Sequence, residues 1–189
     1  FEPSPDGERI AVSLSKDGSE DGSLHVFDVA SGQPIGEAIP RVQYPTAGGS
    51  AAWTPDAKGL WYTRYPGPDR PADEQHFHQT VWFHRLGEDP KTDVQVFGDG
   101  LPKIAAIKLH FSAEAGALVL TVLNGDGGEV AHYVRGEDGR FVQVTRFEDG
   151  VTYARFGPDR ALYLVSKAAG TPRGEIRRRE IGLGQAEAA

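Results

Sequence analysis

The 189-residue chain contains no cysteine and no methionine. That removes a disulfide framework, a thiolate nucleophile and a cysteine zinc knuckle from consideration. No stretch approaches the roughly 18 consecutive apolar residues of a membrane span, and no secretory leader pattern opens the chain. Clustered positive charge is scarce too: 20 Lys and Arg stand against 27 Asp and Glu, a formal net charge of -7 at pH 7. The one basic run, Arg177-Arg178-Arg179, lies between Glu175 and Glu180, and on a strand its side chains alternate between faces. It reads as a solvated edge strand rather than a phosphate-binding patch, so neither nucleic acid nor a membrane is expected as a partner. Long apolar stretches of 3.6-residue period are missing as well, which excludes a helical architecture.

What is present is a repeat. Trp53-Thr54-Pro55-Asp56-Ala57-Lys58-Gly59 joins an aromatic strand end, through a Pro-Asp turn, to the apolar run Leu60-Trp61-Tyr62. The same unit recurs around Asp6, Glu114 and Asp159, so the acidic turn residues are spaced by 50, 58 and 45 positions. Between them, short β-branched and aromatic runs alternate with turns rich in the 24 glycines and 13 prolines. A period of about 40–50 residues with several short strands per unit predicts an all-β fold of propeller blades, each of four antiparallel strands. Strands are expected near 8–15, 23–29 and 34–39; then 50–54, 59–65, 80–86 and 93–97. They continue at 107–112, 117–123, 129–135 and 141–147, and finally at 151–156, 161–167 and 174–181. The approximate blades are 1–46, 47–104, 105–149 and 150–184, with 185–189 a disordered or linker tail. The first unit is expected to lack its opening strand and the last its closing strand, making a partial propeller cut inside blades at both ends. Leu118-Val119-Leu120-Thr121-Val122-Leu123 is apolar on both faces, as suits a blade strand packed between neighbours.

Candidate chemistry is sparse. Gly48-Gly49-Ser50-Ala51-Ala52 lacks the second glycine of a nucleophile elbow and runs into a strand, so Ser50 reads as a loop residue. His76, His78 and His84 form the one local histidine cluster, but no third ligand follows at a metal-binding spacing, and no metal is expected. Asp17-Gly18-Ser19-Glu20-Asp21-Gly22 imitates the start of a calcium loop, yet its flanks are strands and a turn is the simpler reading. Asn124-Gly125 reads as a hairpin turn. Trp53, Trp61 and Trp82 read as core between blades. No catalytic residue and no cofactor site are expected, so the chain alone is expected to be inactive. Pro66 to Gln75 is a proline-rich, charged loop too irregular to form a ladder, of a length that often serves function.

Taken in order, these runs carry a family resemblance. Ser4-Pro5-Asp6-Gly7, Val26-Phe27-Asp28-Val29, Ala52-Trp53-Thr54-Pro55-Asp56, and Val81-Trp82-Phe83-His84-Arg85-Leu86-Gly87 followed by Asp93-Val94 resemble the N-terminal propeller of prolyl oligopeptidases over most of residues 1–165. The resemblance implies about four blades of an expected seven. It implies a lid that admits short proline-containing peptides to an α/β-hydrolase domain, a serine peptidase unit lying outside this sequence. That domain and short peptides are the implied partners. Matching the family's pocket-proximal segments makes Tyr44, in Arg41-Val42-Gln43-Tyr44, and Ile104 and Ala105, after Pro102-Lys103, the substrate-facing candidates. His84 falls on the family's strand histidine, where a structural role is expected.

Two other readings stay open at this stage. One is a stand-alone propeller-like binding module that closes its ring by self-association through open blade edges, giving a homo-oligomer. The other is an enzyme with carboxylates converging in a propeller channel, although the acids here fall mostly in turns. The start at Phe1 without a methionine leads to the expectation of a native N-terminus upstream. On that expectation a cytoplasmic location is favoured and a periplasmic one stays open.

Overall fold

A computed structural model describes residues 1–43, 48–68, 70–168 and 173–183. The described residues form fifteen strands and a few 3₁₀ turns, with no α-helix among them. The first sheet is β1 (Glu2–Pro3), β2 (Arg9–Ser15), β3 (Gly22–Asp28) and β4 (Ile39–Pro40), in that spatial order. The second is β5 (Ala51–Trp53), β6 (Gly59–Arg64), β7 (Thr80–Arg85) and β8 (Val94–Phe97). The third is β9 (Ala105–Ser112), β10 (Ala117–Asn124), β11 (Val130–Arg135) and β12 (Phe141–Thr145). The fourth holds β13 (Val151–Phe156), β14 (Leu162–Ser166) and β15 (Glu175–Arg179). Each sheet is a meander in sequence order, the all-β blade motif that the repeat predicts.

The first sheet departs from expectation by having an opening strand. β1 pairs Glu2 with Ala11 and Pro3 with Ile10, and two residues are too few to show a period in the sequence. The strand expected near 34–39 shrinks to Ile39–Pro40 plus one isolated bridge between Phe27 and Pro34. Pro34 and Pro40 have no N–H to donate, which limits ladder formation there.

The repeated turns share one hydrogen-bond pattern. The Thr54 hydroxyl donates to Asp56 Oδ1 at 2.6 Å and the Lys58 N–H donates to the same oxygen at 3.1 Å. Ser4 and Asp6 repeat this with the N–H of Glu8. These bonds favour the ionised carboxylates and hold Asp6 and Asp56 below the usual carboxylate range. The residue after the aspartate is left-handed in three of the four turns, Gly7 at φ 72°, Ala57 at 55° and Arg160 at 59°, while in the Glu114 turn the left-handed residue is Gly116, at 63°. Ala57 and Arg160 carry a β-carbon, so local bonding holds those two turns against a backbone cost of about 1–2 kcal/mol each.

The chain packs as two compact units, Phe1–Leu109 and His110–Ala189, with the division inside β9. In the first, Ala11, Leu24, Val26, Ile39, Val42, Trp53, Leu60 and Tyr62 form a core between the first two sheets. The Trp53 indole N–H crosses to the Glu2 carbonyl at 2.9 Å, tying β5 to β1. In the second unit, Val119, Val134, Val144, Val151, Phe156, Leu162 and Leu164 lie at the centre of another core. Leu118, Val119, Leu120 and Val122 are all buried, so β10 is covered on both faces as its composition predicts.

Candidate functional site

A concavity of about 600 Å³ lies in the first unit. Its wall is built from the end of β6 and the residues after it (Arg64 to Pro68), the start of β7 (His78 to Trp82), and the segment Gly98 to Pro102. Strand alternation decides what β6 contributes. Tyr62 is fully buried, and Arg64, two residues on, shares its face and emerges at the cavity. The Arg64 guanidinium lies 3.6 Å from the centre of the Trp82 ring, and its Nη1 donates to the Tyr62 hydroxyl at 3.3 Å.

Beneath this pair runs a buried polar chain. The Tyr62 hydroxyl donates to Asp93 Oδ2 at 2.7 Å, and Asp93 Oδ1 lies 2.8 Å from His84 Nδ1. The side chains of His84 and Asp93 are only 5% and 2% exposed. Burial, and then the neighbouring Asp93, push the Tyr62 phenol far above its ordinary range, so it acts as a neutral donor. A His–Asp couple also serves catalytic triads, but here its third member is a tyrosine facing a core, with no serine in the chain of bonds. Its chemistry is structural, as expected for His84.

A second buried polar link supports the cavity from behind. Gln79 is 1% exposed. Its Nε2 donates to the Gln43 carbonyl at 3.0 Å, and its Oε1 accepts the Ile107 N–H at 2.6 Å. One side chain thereby bonds the segment after β4 and the start of β9. The loop from Pro66 to Gln75 is pinned through Glu74, which accepts from Arg70 at 3.2 Å and from Lys103 at 3.3 Å. The Lys103 bond and charge lead in holding the Glu74 carboxyl below its usual range.

The sequence candidates distribute unevenly. Tyr44 lies outside the described residues. Ile104 is 50% exposed, close in sequence to the cavity-lining Pro102. Ala105 is 2% exposed and its N–H bonds the Pro102 carbonyl, so its methyl packs inward. Ser50 accepts the Leu109 N–H on its Oγ at 2.8 Å, a loop-to-strand bond. The three histidines do not converge: His76 packs edge-on against Tyr65, His78 Nε2 sits 3.9 Å from Glu74, and His84 pairs with Asp93. No group of metal-ligating side chains assembles among the described residues. Asp17 and Gly18 are both left-handed in a turn between β2 and β3, and Gly125–Gly127 forms a single 3₁₀ turn. Trp53 and Trp61 are core, at 3% and 6% exposure. Trp82 departs from that reading: it is half-buried and gives one ring face to Arg64. The Arg64–Trp82 pair and the acid opposite His84 are what sequence reasoning missed. A signal existed, since Arg64 and Trp82 stand near facing positions of two runs already read as neighbouring strands.

Comparison with known proteins places these features. The family model for the prolyl oligopeptidase N-terminal β-propeller domain matches residues 1–178. The chain belongs to that family. Among curated relatives, the prolyl oligopeptidase ophP of Omphalotus olearius is 30% identical over 109 residues, covering 52% of this chain and 14% of its own length. Among solved structures, a prolyl endopeptidase, described in terms of inter-domain dynamics in catalysis and specificity, superposes with a TM-score of 0.78 at 25% identity. That match covers 93% of this chain and 25% of the endopeptidase chain. Prolyl oligopeptidase B from Galerina marginata, without ligand, superposes at a TM-score of 0.73 with 18% identity, over 94% of this chain and 28% of its own. The sheets described above are therefore blades of a partial β-propeller. The chain spans only about a quarter of the solved relatives.

Proposed function

We propose that this chain is the gating part of a prolyl oligopeptidase-type serine peptidase, limiting entry of peptides to a hydrolase domain of the same protein. The family match over residues 1–178 is the observation that carries this reading. The site geometry supports it. The cavity is polar and aromatic, it is walled by four prolines and three arginines, and it has a concave shape suited to a short peptide segment. The exposed Ile104, and Tyr44, are the further side chains proposed to face such a peptide. No serine, histidine and acid come together as a triad among the described residues, so cleavage would be the work of the other domain.

Self-association through open edges has less behind it. The outer strand of the last sheet, β15, carries Arg177, Arg178 and Arg179, two of them engaged with Glu175, Asp159 and Glu180, and charged side chains of this kind blunt an edge against pairing with a second copy. The test of the gating proposal is a comparison of two proteins, this chain alone and its full-length parent, on a Gly-Pro chromogenic peptide. The expected result is no turnover from the chain alone, and turnover by the parent that a serine-directed inhibitor stops. Inhibitor-sensitive cleavage by the chain alone would overturn it.

A further inference from the structure

We propose that the cavity of the first unit is a subsite for the carboxylate of a peptide, with Arg64 and Arg41 as its anion-binding groups. This rests on the reading of the chain as a peptide-handling propeller and goes beyond it, because gating by size needs no charged contact.

Of the three lining arginines, Arg70 is spent on Glu74 at 3.2 Å. Arg64 and Arg41 have no carboxylate within ion-pair distance among the described residues. The lining acid Asp99 accepts from Gln95 at 2.8 Å. Asp93 reaches Arg64 only through the Tyr62 hydroxyl, and its second oxygen is taken by His84. In a chain of net charge -7, two guanidinium groups in one concavity, bonded to neutral acceptors and without a carboxylate partner among the described residues, create a local positive potential that selects anions.

Both groups are also held in place. Arg64 rests on the Trp82 face, so its fork loses little freedom on engaging a planar carboxylate. Arg41 is left-handed at φ 64°, an unusual state for a residue with a β-carbon. Its Nη2 donates to the Gln75 carbonyl at 2.5 Å, while its Nε is buried with no hydrogen-bond partner. His78, at φ 60°, is a second left-handed residue in the same wall. Two such residues at one cavity are the kind of local strain that concentrates where ligands are held.

The rest of the wall fixes the ligand class. Tyr65, Pro66, Trp82, Leu101 and Pro102 supply apolar and aromatic surface beside the guanidinium groups. Proline-rich peptide segments dock on such aromatic surfaces because their backbone is already extended. A short proline-containing peptide bearing a carboxylate therefore fits both halves of the site. That carboxylate has two sources, the peptide's own C-terminus or an Asp or Glu side chain.

Isothermal titration of the protein with three peptides separates them: acetyl-Ala-Pro-Phe-Ala with a free carboxylate, its amide, and the amide with glutamate in the last position. Either acid, or both, should bind at least about tenfold more tightly than the neutral amide, the scale of a charge-assisted hydrogen bond. Which acid does so identifies the source. Arg64→Gln, and separately Arg41→Gln, should reduce that preference towards unity. The ratio is the readout because a variant that merely loosens the cavity weakens acid and amide alike. Equal binding of acids and amide by the unaltered protein, or a preference that survives both substitutions, would overturn the proposal. No cleavage is measured here. Loss of size selection in the parent with the preference intact would refute the gating reading alone.

Discussion

Protonation of one buried histidine should dominate the mild-acid instability of the second unit. His132, on β11, is fully buried. Thr145 Oγ1 accepts the His132 backbone N–H at 3.0 Å and lies 2.7 Å from the ring Nδ1, so its hydroxyl proton is free to go to Nδ1. The ring Nε2 is buried without a partner. Adding a proton would turn Nδ1 from acceptor to donor and leave a buried charge with no counter-ion, and burial accordingly pushes the pKa from 6.5 down to about 4. The folded form thus binds fewer protons than the unfolded chain between those two values. The stability contribution is complete above about pH 6.5 and falls as pH drops towards 4, by about 1.4 kcal/mol per pH unit. The whole shift is worth about 3 kcal/mol, of which about 2.5 is lost by pH 4.5. Urea unfolding at pH 7, 5.5 and 4.5, followed by circular dichroism, measures it. His132→Asn keeps an acceptor for the Thr145 hydroxyl and lowers stability at pH 7, but the difference between pH 7 and 4.5 should shrink by about 2.5 kcal/mol. Identical pH slopes for both proteins would refute the reasoning.

The polar chain beneath the cavity gives a second outcome. Asp93→Asn leaves the buried Tyr62 and His84 without their ionised acceptor and should reduce unfolding free energy by about 2–3 kcal/mol in the same assay. A change under 0.5 kcal/mol would contradict the buried network. Gly59→Ala would place a β-carbon 2.8 Å from the His84 carbonyl oxygen, so a loss of about 1–3 kcal/mol is expected from thermal unfolding. Arg160→Gly should act oppositely. It relieves about 1–2 kcal/mol of left-handed strain at an exposed turn, against about 0.5–1 kcal/mol of added chain entropy, raising the melting temperature slightly.

Much of this architecture is legible in the sequence because blades repeat. The acidic turns at Asp6, Asp56, Glu114 and Asp159 mark each sheet, and their side-chain bonds explain why an acid recurs there. β1 escaped because two residues carry no period, and proline hid how little of 34–39 pairs. The candidate site was harder to read. Trp82 looks like any core aromatic until Arg64 is seen over its ring. Likewise Asp93, nine positions from His84, becomes its partner only when β7 and β8 bring the two together. Pairings across strands depend on register, which no local pattern states. His132 carries no signal at all, since burial alone sets its behaviour.

A substrate-length series tests the proposed gating most directly. Cleavage rates of the full-length parent protein, intact and lacking residues 1–178, would be measured on proline-containing substrates from a tetrapeptide to a folded protein. If gating is this chain's role, the intact parent cuts short peptides and spares the folded protein, and the truncated protein, confirmed folded by reaction with an active-site serine probe, loses that discrimination. Equal length selection by both proteins would contradict it.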